Sequence, residues 1–250
     1  MNDQQNIELQ SSPFRWRGGQ AIIIAGGLGT RLRSVVNDVP KCMAPVAGKP
    51  FLHYVIQHLQ KQGVDEFIFS IGYLSESIEQ FLSAQYPLLN YQLSIEEEPL
   101  GTGGAIQSAC KKATHENVLA LNGDTLFTVD VNAITTFHIE HKTECTISLK
   151  PMQHFERYGV VELDTEHSIS SFKEKQYYEK GLINGGVYII NKEQFLARQL
   201  PEKFSFEKDY LERFVNEKKF FGIQQDEYFI DIGIPEDFTR AQEEFKNIDL

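Results

Sequence analysis

The sequence predicts an α/β fold with one mixed, mostly parallel sheet covered by helices on both faces. Strand and helix patterns alternate through the first half, and short apolar runs such as Ala21–Ala25 have the character of buried strands. This alternation is typical of parallel sheets, whose crossover connections place helices on the faces. No linker rich in Pro, Gly or Ser divides the chain. We therefore expect an N-terminal extension at residues 1–19 and a single Rossmann-like domain at residues 20–250.

The first half follows this alternation element by element. Strands are predicted where β-branched and aromatic residues run together, and helices where apolar residues recur every three or four positions. Gly63 is expected to end the first helix, and Ser75 to cap the second. The predicted order is strand 21–25, helix 51–62, strand 66–71, helix 75–84, strand 89–96, helix 102–112 and strand 118–121.

The second half is less regular. Strands are predicted at 145–150, 159–163, 169–173 and 186–190, and helices at 206–216 and 235–245. His138 and His141 lie in a further helical pattern that does not match the H-E-x-x-H zinc motif. We interpret both histidines as surface residues.

Charge and composition exclude several classes of protein. The net charge of −11 disfavours nonspecific binding to nucleic acid or to an acidic membrane. No apolar run is long enough to span a bilayer, and the polar first twenty residues lack the apolar segment of a signal peptide. The three cysteines have no metal-ligand spacing, which favours free thiols. We expect a cytoplasmic protein with no nucleic acid or membrane partner; a homodimer is left open.

A glycine-rich loop follows the first strand and is expected to bind phosphate. Glycines let successive backbone N–H groups approach one anion, and Arg31 and Lys41 supply the positive charge that phosphate oxygens require. A tight turn with an exposed arginine is the alternative interpretation. The residues predicted to contact a nucleotide here are Ala25, Gly26, Gly27, Gly29 and Thr30.

Two better-known nucleotide motifs are absent. The dinucleotide fingerprint G-x-G-x-x-G fails because Leu32 stands where its last glycine belongs. The Walker motif fails around Gly48-Lys49, because Met43 occupies its first position and Pro50 its last. A nicotinamide-dependent oxidoreductase is therefore a disfavoured alternative.

Two aspartates are candidate ligands for Mg²⁺. Asp124 directly follows a buried strand, and Asp231 lies in a second apolar segment. Ligands of open α/β sheets bind beyond the carboxyl ends of the strands. Mg²⁺ takes one or two carboxylates and completes its shell with water and phosphate oxygens. Each aspartate alone is equally compatible with a turn or a helix cap.

An acidic, glycine-rich stretch is a candidate site for the base. One carboxylate can accept from both adjacent donors of guanine, N1–H and N2–H₂, and Glu96 is the candidate. Gly101, Thr102 and Gly103 would let a flat base lie against the backbone. A solvated acidic run is the commoner explanation for three consecutive glutamates.

A second candidate site is for a phosphorylated sugar. In Lys173-Glu174-Lys175, Lys175 suits a phosphate and Glu174 suits sugar hydroxyls. The alternative is a solvent-exposed strand edge with alternating charges. The spacing of these residues alone favours this alternative over a sugar-phosphate site.

These residues together resemble the sugar-1-phosphate nucleotidyltransferase family over almost the whole chain. Gly26–Leu32 with Pro40–Pro50 is similar to the family signature, and Leu100–Ala105 is similar to its base-binding turn. The resemblance implies a GT-A-like sheet and sugar contacts at Gly159, Glu174 and Asn184. It also implies metal ligation by Asp124 and Asp231. The C-terminal β-helix found on many members is expected to be absent.

The resemblance further implies an enzyme that joins GTP and a sugar 1-phosphate with Mg²⁺. Phe172–Lys175 and Gly181–Tyr188 favour a heptose 1-phosphate within the family. Mannose 1-phosphate and the uridylyl, cytidylyl and thymidylyl reactions are the alternatives, as is a regulatory subunit without turnover. The residues expected to act in catalysis are Arg31, Lys41 and Lys175.

Overall fold

The structure is a computed structural model that describes residues 19–27, 39–72 and 74–248. Within these ranges a seven-stranded sheet forms the centre of the molecule. With strands numbered in chain order, its spatial order is β12 (Phe220–Gln224), β8 (Cys145–Phe155), β11 (Tyr178–Asn191), β6 (Asn117–Asn122), β1 (Gly19–Ile24), β4 (Val64–Ile71) and β5 (Asn90–Ile95). Only β11 runs antiparallel to its neighbours among these strands. The predicted mixed, mostly parallel sheet is confirmed.

Helices and short ribbons complete the fold. The helices are α1 (Phe51–Lys61), α2 (Ser75–Gln85), α3 (Gly101–Cys110), α4 (Val131–His141), α5 (Lys192–Leu196) and α6 (Pro235–Glu244). Three two-stranded ribbons pair β2 (Pro45–Val46) with β3 (Lys49–Pro50), β7 (Thr125–Phe127) with β13 (Phe229–Asp231), and β9 (Val161–Leu163) with β10 (Ile169–Phe172). Further turns are 3₁₀-helical at Lys41–Met43 and Val215–Glu217, and π-helical at Phe206–Glu212.

The sheet separates two hydrophobic cores. Ile22 and Ile23 are adjacent in β1, yet they belong to two different clusters of buried residues, because side chains alternate between the faces of a strand. The cluster of Ile23 includes Phe51 of α1, whereas that of Ile22 includes Ile106 of α3. Helices therefore cover both faces of the sheet.

Several local predictions were wrong. Ser75 is the first helical residue of α2, and Leu74 takes the cap position with a left-handed backbone (φ 58°). His138 is buried, because Thr143, Thr146 and Asn117 offer its ring nitrogens hydrogen bonds that replace water. His141 is exposed, as expected.

β8 and β11 differ most from the predicted strands. β11 extends from Tyr178 and contains Asn184 and Gly185, which lie before the predicted strand at 186–190. Its first part pairs with the second part of β8 through a mixture of polar and apolar residues, many of them partly exposed, without a regular apolar alternation. Gly19, which we assigned to the N-terminal extension, is the first residue of β1. The remainder of that extension lies outside the described residues.

Candidate active site

Three sequence-distant residues meet at the carboxyl edge of the sheet. Asp124 follows β6, Asp231 ends β13, and Lys41 begins the 3₁₀ turn at Lys41–Met43. Pairing of β13 with β7 sets Asp231 directly opposite Thr125, the neighbour of Asp124. The two predicted metal carboxylates and the predicted phosphate-binding lysine therefore occupy one place.

The lysine bridges both carboxylates. Lys41 Nζ lies 2.6 Å from Asp124 Oδ2 and 3.2 Å from Asp231 Oδ1. Burial alone lowers the pKa of Lys41, but the charges of Asp124 and Asp231 outweigh burial and the pKa is raised. The ammonium group therefore stays charged and serves as the counterion of both aspartates.

Two glycines permit this close arrangement. A Cβ on Gly123 would lie 2.9 Å from the carbonyl oxygen of Ile24, so only glycine lets the chain leaving β6 cross the end of β1. A Cβ on Gly233 would lie 2.8 Å from Asp231 Oδ1 and 2.9 Å from Lys41 Nζ. The backbone N–H of Gly233 also donates to Asp231 Oδ1 at 2.8 Å.

The described part of the glycine loop lies beside Glu96. A Cβ on Gly26 would meet Glu96 Oε1 at 2.6 Å, whereas Gly27 borders open space. Ala25 is fixed to β4, because its N–H donates to the carbonyl of Ser70 at 2.8 Å. Gly29, Thr30 and Arg31 lie outside the described residues, so their predicted phosphate contacts stay predictions.

Glu96 orders the turn that follows β5. Its Oε1 accepts from Ser70 Oγ at 3.1 Å, and its Oε2 accepts from the backbone N–H of Leu100 at 3.1 Å. These bonds hold the carboxylate between the glycine loop and the predicted base turn. Guanine recognition by Glu96 stays a prediction.

The predicted base turn also has a packing role. Gly101 has a φ of +72°, and a Cβ on Gly103 would lie 2.1 Å from the ring of Phe204. Gly103 is buried, and its N–H donates to the carbonyl of Phe204 at 3.0 Å. Thr102 Oγ1 accepts from the N–H of Phe206 at 3.0 Å. Sequence analysis missed this partner segment, because its contacts are distant along the chain.

The four predicted sugar-site residues line one cavity of about 350 Å³. They are Gly159, Glu174, Lys175 and Asn184. Gly159 is needed for its shape, since a Cβ there would lie 2.3 Å from the carbonyl oxygen of Lys173. The structure therefore brings together residues from three separate segments of the chain.

Tyr158 joins this cavity to the carboxylates and was not among the predicted site residues. It lines the cavity, and burial together with the negative charge of Asp231 raises its pKa to about 12. Arg157 Nη2 donates to the Tyr158 hydroxyl at 3.1 Å, and Arg157 forms an ion pair with Asp237. The sequence signal that could have identified Tyr158 is its position directly before Gly159, a predicted sugar contact.

Thiol chemistry has no support at this site. Cys42, Cys110 and Cys145 are free and buried. Burial raises the pKa of Cys42 and of Cys110 to about 12, and that of Cys145 also rises. Their thiols therefore stay protonated, and the predicted free cysteines are confirmed.

The carboxylate oxygens of Asp124 and Asp231, which lie beside Lys41, suit Mg²⁺ better than a soft metal. Within the described ranges, no group of three or more His, Cys, Asp or Glu side chains is arranged to hold a metal ion. Asp124 and Asp231 instead supply two carboxylates that already converge on one cationic group. Two carboxylates with water and phosphate oxygens form the usual shell of Mg²⁺, so these residues fit that ion.

Known proteins are similar to this chain over most of its length. The family model described as "Nucleotidyl transferase" matches residues 20–247. The D-glycero-α-D-manno-heptose 1-phosphate guanylyltransferase of Aneurinibacillus thermoaerophilus is 53% identical over 91% of this chain and 99% of its own length. The enzyme of that name from Campylobacter jejuni is 42% identical over 88% of this chain and 96% of its own length.

A solved structure matches as well. HddC from Yersinia pseudotuberculosis, crystallised with GMP-PN, superposes with a TM-score of 0.81 at 37% identity, covering 91% of this chain and 99% of HddC. In the described part of the present chain, no helix has the length and hydropathy needed to cross a membrane.

Proposed function

Because the chain belongs to the nucleotidyl transferase family, we propose that it transfers a guanylyl group from GTP to D-glycero-α-D-manno-heptose 1-phosphate. The products are GDP-heptose and pyrophosphate. The two relatives that carry this activity in their names match nearly their whole length, and the structural neighbour was crystallised with a guanine nucleotide analogue. These matches support both the heptose and the base.

One observation carries the proposal: Lys41, Asp124 and Asp231 converge beside the cavity that Lys175 and Glu174 line. Tyr158 belongs to that cavity, and its pKa responds to the charge of Asp231, so the two sites are adjacent. A nucleotide triphosphate and a sugar phosphate can therefore be held side by side.

The reaction needs charge control more than proton transfer. An oxygen of the sugar 1-phosphate attacks the α-phosphorus, a new O–P bond forms, and the bond to the β-phosphate oxygen breaks to release pyrophosphate. The attacking phosphate is already anionic at neutral pH, so no general base is required. The barrier comes from bringing two anions together, and preorganised charges lower it.

Named side chains supply these charges and orient the substrates. Lys41 and Arg31 neutralise the nucleotide phosphates, and Lys175 holds the phosphate of the sugar. Glu174 and Asn184 line the cavity where the hydroxyls would lie.

Asp124 and Asp231 are proposed to hold Mg²⁺. When bound, this ion supplies Lewis-acid stabilisation of the phosphate oxygens. The Lys41 ammonium lies between these carboxylates, so binding of a cation there is linked to the position of the lysine.

The proposal is tested by pyrophosphate release from four nucleoside triphosphates, each combined with heptose, mannose or glucose 1-phosphate. We expect GTP with the heptose 1-phosphate to give the highest kcat/KM, and mass spectrometry to detect GDP-heptose. Preference for mannose 1-phosphate would replace the heptose assignment, and preference for another triphosphate would replace the guanylyl assignment. Saturable nucleotide binding without product would favour a regulatory subunit. The cytoplasmic location and the homodimer stay predictions.

A further inference from the structure

We propose that Glu207 is a further specificity-determining residue, which accepts a hydrogen bond from a hydroxyl of the sugar. This inference rests on the proposed function, because it requires a sugar 1-phosphate in the cavity beside Lys175. Sequence analysis did not single out Glu207. It lies in the π-helical turn Phe206–Glu212, more than twenty positions beyond the predicted sugar residues, and it lines the same cavity. π-Helical turns occur frequently at functional sites.

The hydrogen bonds of Asn184 indicate what Glu207 does. Asn184 Nδ2 donates to Glu207 Oε1 at 3.0 Å and to the Tyr188 hydroxyl at 2.9 Å. An asparagine amide has only two N–H donors, so both are used within the protein. Asn184 Oδ1 accepts from the N–H of Gly186 at 2.9 Å. Asn184 is therefore a fixed support, and it holds the Glu207 carboxylate against the cavity.

The remaining oxygen of that carboxylate is available to a ligand. Among the described residues, Glu207 Oε2 has no hydrogen-bond partner, and the Glu207 side chain is accessible to solvent. An ionised carboxylate can only accept hydrogen bonds, and bonds from hydroxyl groups to it are charge-assisted. A neutral polyol supplies such donors. The phosphate of the same ligand would be repelled by Glu207, so it must face the lysine side of the cavity.

The turn that carries Glu207 is attached to the predicted base turn. The N–H of Phe206 donates to Thr102 Oγ1 at 3.0 Å, and Ser205 Oγ accepts from the N–H of Lys208 at 3.2 Å. The N–H of Phe204 donates to the carbonyl of Leu100 at 3.0 Å. These bonds fix the backbone of the turn independently of the Glu207 side chain. Replacing that side chain should therefore change sugar binding while the turn keeps its position.

The test compares Glu207→Ala with the wild-type chain and with Glu202→Ala. Glu202 is an exposed glutamate shortly before the turn, and its side chain does not line the cavity. The KM for the heptose 1-phosphate is measured at saturating GTP by pyrophosphate release, and the KM for GTP at saturating sugar phosphate. We expect Glu207→Ala to raise the sugar-phosphate KM by roughly 10-fold or more, as loss of a charge-assisted hydrogen bond does. The GTP KM should stay within about twofold.

A second variant separates recognition from support. Glu207→Gln keeps an oxygen that can accept from Asn184 but removes the charge, so its sugar-phosphate KM should lie between those of the wild type and Glu207→Ala. Glu202→Ala should behave like the wild type. Melting temperatures close to that of the wild type for all variants confirm that each folds.

Three outcomes would overturn the proposal. The first is an unchanged sugar-phosphate KM in Glu207→Ala, and the second is an equal rise in both KM values. If the wild type turns over no sugar phosphate, the proposed function fails, and calorimetric binding of heptose 1-phosphate then decides the role of Glu207. If Glu207→Ala binds heptose 1-phosphate tenfold more weakly than the wild type, Glu207 keeps its role in sugar recognition without the reaction. If the two proteins bind it equally, or neither binds it, the proposal is overturned, and this is the third outcome.

Discussion

Lys41 and Asp124 form a 2.6 Å ion pair across 83 positions of sequence. Asp231 joins them from 190 positions away, with its Oδ1 3.2 Å from the same ammonium nitrogen. The lysine side chain is 13% exposed and the aspartates are 34% and 27% exposed, so the group is shielded but reachable by a ligand. The proposed reaction depends on this triad, because each member is assigned to binding either phosphate or metal.

Asp124→Asn should abolish turnover. The amide is nearly the same size as the carboxylate but lacks the charge that balances Lys41 and that Mg²⁺ requires. Pyrophosphate release at saturating GTP and sugar phosphate measures the effect. The matched control is Asp226→Asn, since Asp226 is an exposed carboxylate that also pairs with a lysine, Lys150. Near-wild-type release by Asp124→Asn would refute the assignment.

Lys41→Met should change both activity and stability. Loss of the charge removes a preorganised contact to phosphate and should reduce kcat about 10²-fold or more. It also leaves Asp124 and Asp231 facing each other without a counterion, which should cost about 2 kcal/mol in the free energy of unfolding.

Divalent cations separate these two effects in the Lys41→Met protein. Without nucleotide, adding MgCl₂ should raise its melting temperature more than that of the wild type, because the two carboxylates are no longer neutralised. An equal response of both proteins would contradict metal binding by the two aspartates. Lys219→Met, at an exposed lysine, serves as the control.

Gly233→Ala should impair catalysis more than folding. The added methyl group would approach Asp231 Oδ1 and Lys41 Nζ, both of which are ends of movable side chains, so the triad shifts while the backbone stays in place. We expect a clear decrease in kcat with a small change in melting temperature. Gly72→Ala is the control, since a Cβ at Gly72 makes only ordinary contacts, of which the nearest is 3.6 Å. Equal kcat values for the two variants would argue against the close packing at Gly233.

The protein should lose stability as the pH falls from about 6.5 towards 4. Burial lowers the pKa of His138 and of His58 to about 4, below the usual histidine pKa of about 6.5, so the unfolded chain binds protons that the folded chain does not. The free energy of unfolding then falls by up to about 1.4 kcal/mol per pH unit for each histidine.

Urea denaturation at pH 7, 6 and 5 measures this slope. His138→Gln should flatten it even if the variant is less stable throughout, because the slope reports only the difference in bound protons. His141→Gln, at an exposed position of the same helix, is the control for replacing a histidine in this helix. An unaltered slope in His138→Gln would contradict this, because it would show that His138 binds protons equally in the folded and unfolded states.

Local sequence patterns predicted the central strands β1 and β6 because their middle residues are apolar on both faces. Ile22 and Ile23 illustrate this, since each enters a different core. Local patterns could not predict the burial of His138. They predicted the helix in which it lies, but its burial depends on hydrogen-bond partners in other elements, such as Thr146 in β8. A polar residue is predicted to be exposed when its hydrogen-bond partners in other elements are unknown.

The candidate site was predictable residue by residue but not as an assembly. Asp124 could be placed at a strand end, whereas its meeting with Asp231 requires the short β7–β13 pairing, which carries little sequence signal. Lys41 was assigned to phosphate alone, and its bond to both aspartates was not foreseen. Glu207 escaped notice because a π-helical turn has no simple hydrophobic period.

The most direct test of the central claim is a crystal structure with a non-hydrolysable GTP analogue and Mn²⁺ in place of Mg²⁺. We expect anomalous density between the carboxylates of Asp124 and Asp231, with the triphosphate beside the exit of β1 and within hydrogen-bonding distance of Lys41 Nζ. A triphosphate bound away from that exit, or a metal ion held by neither aspartate, would contradict it.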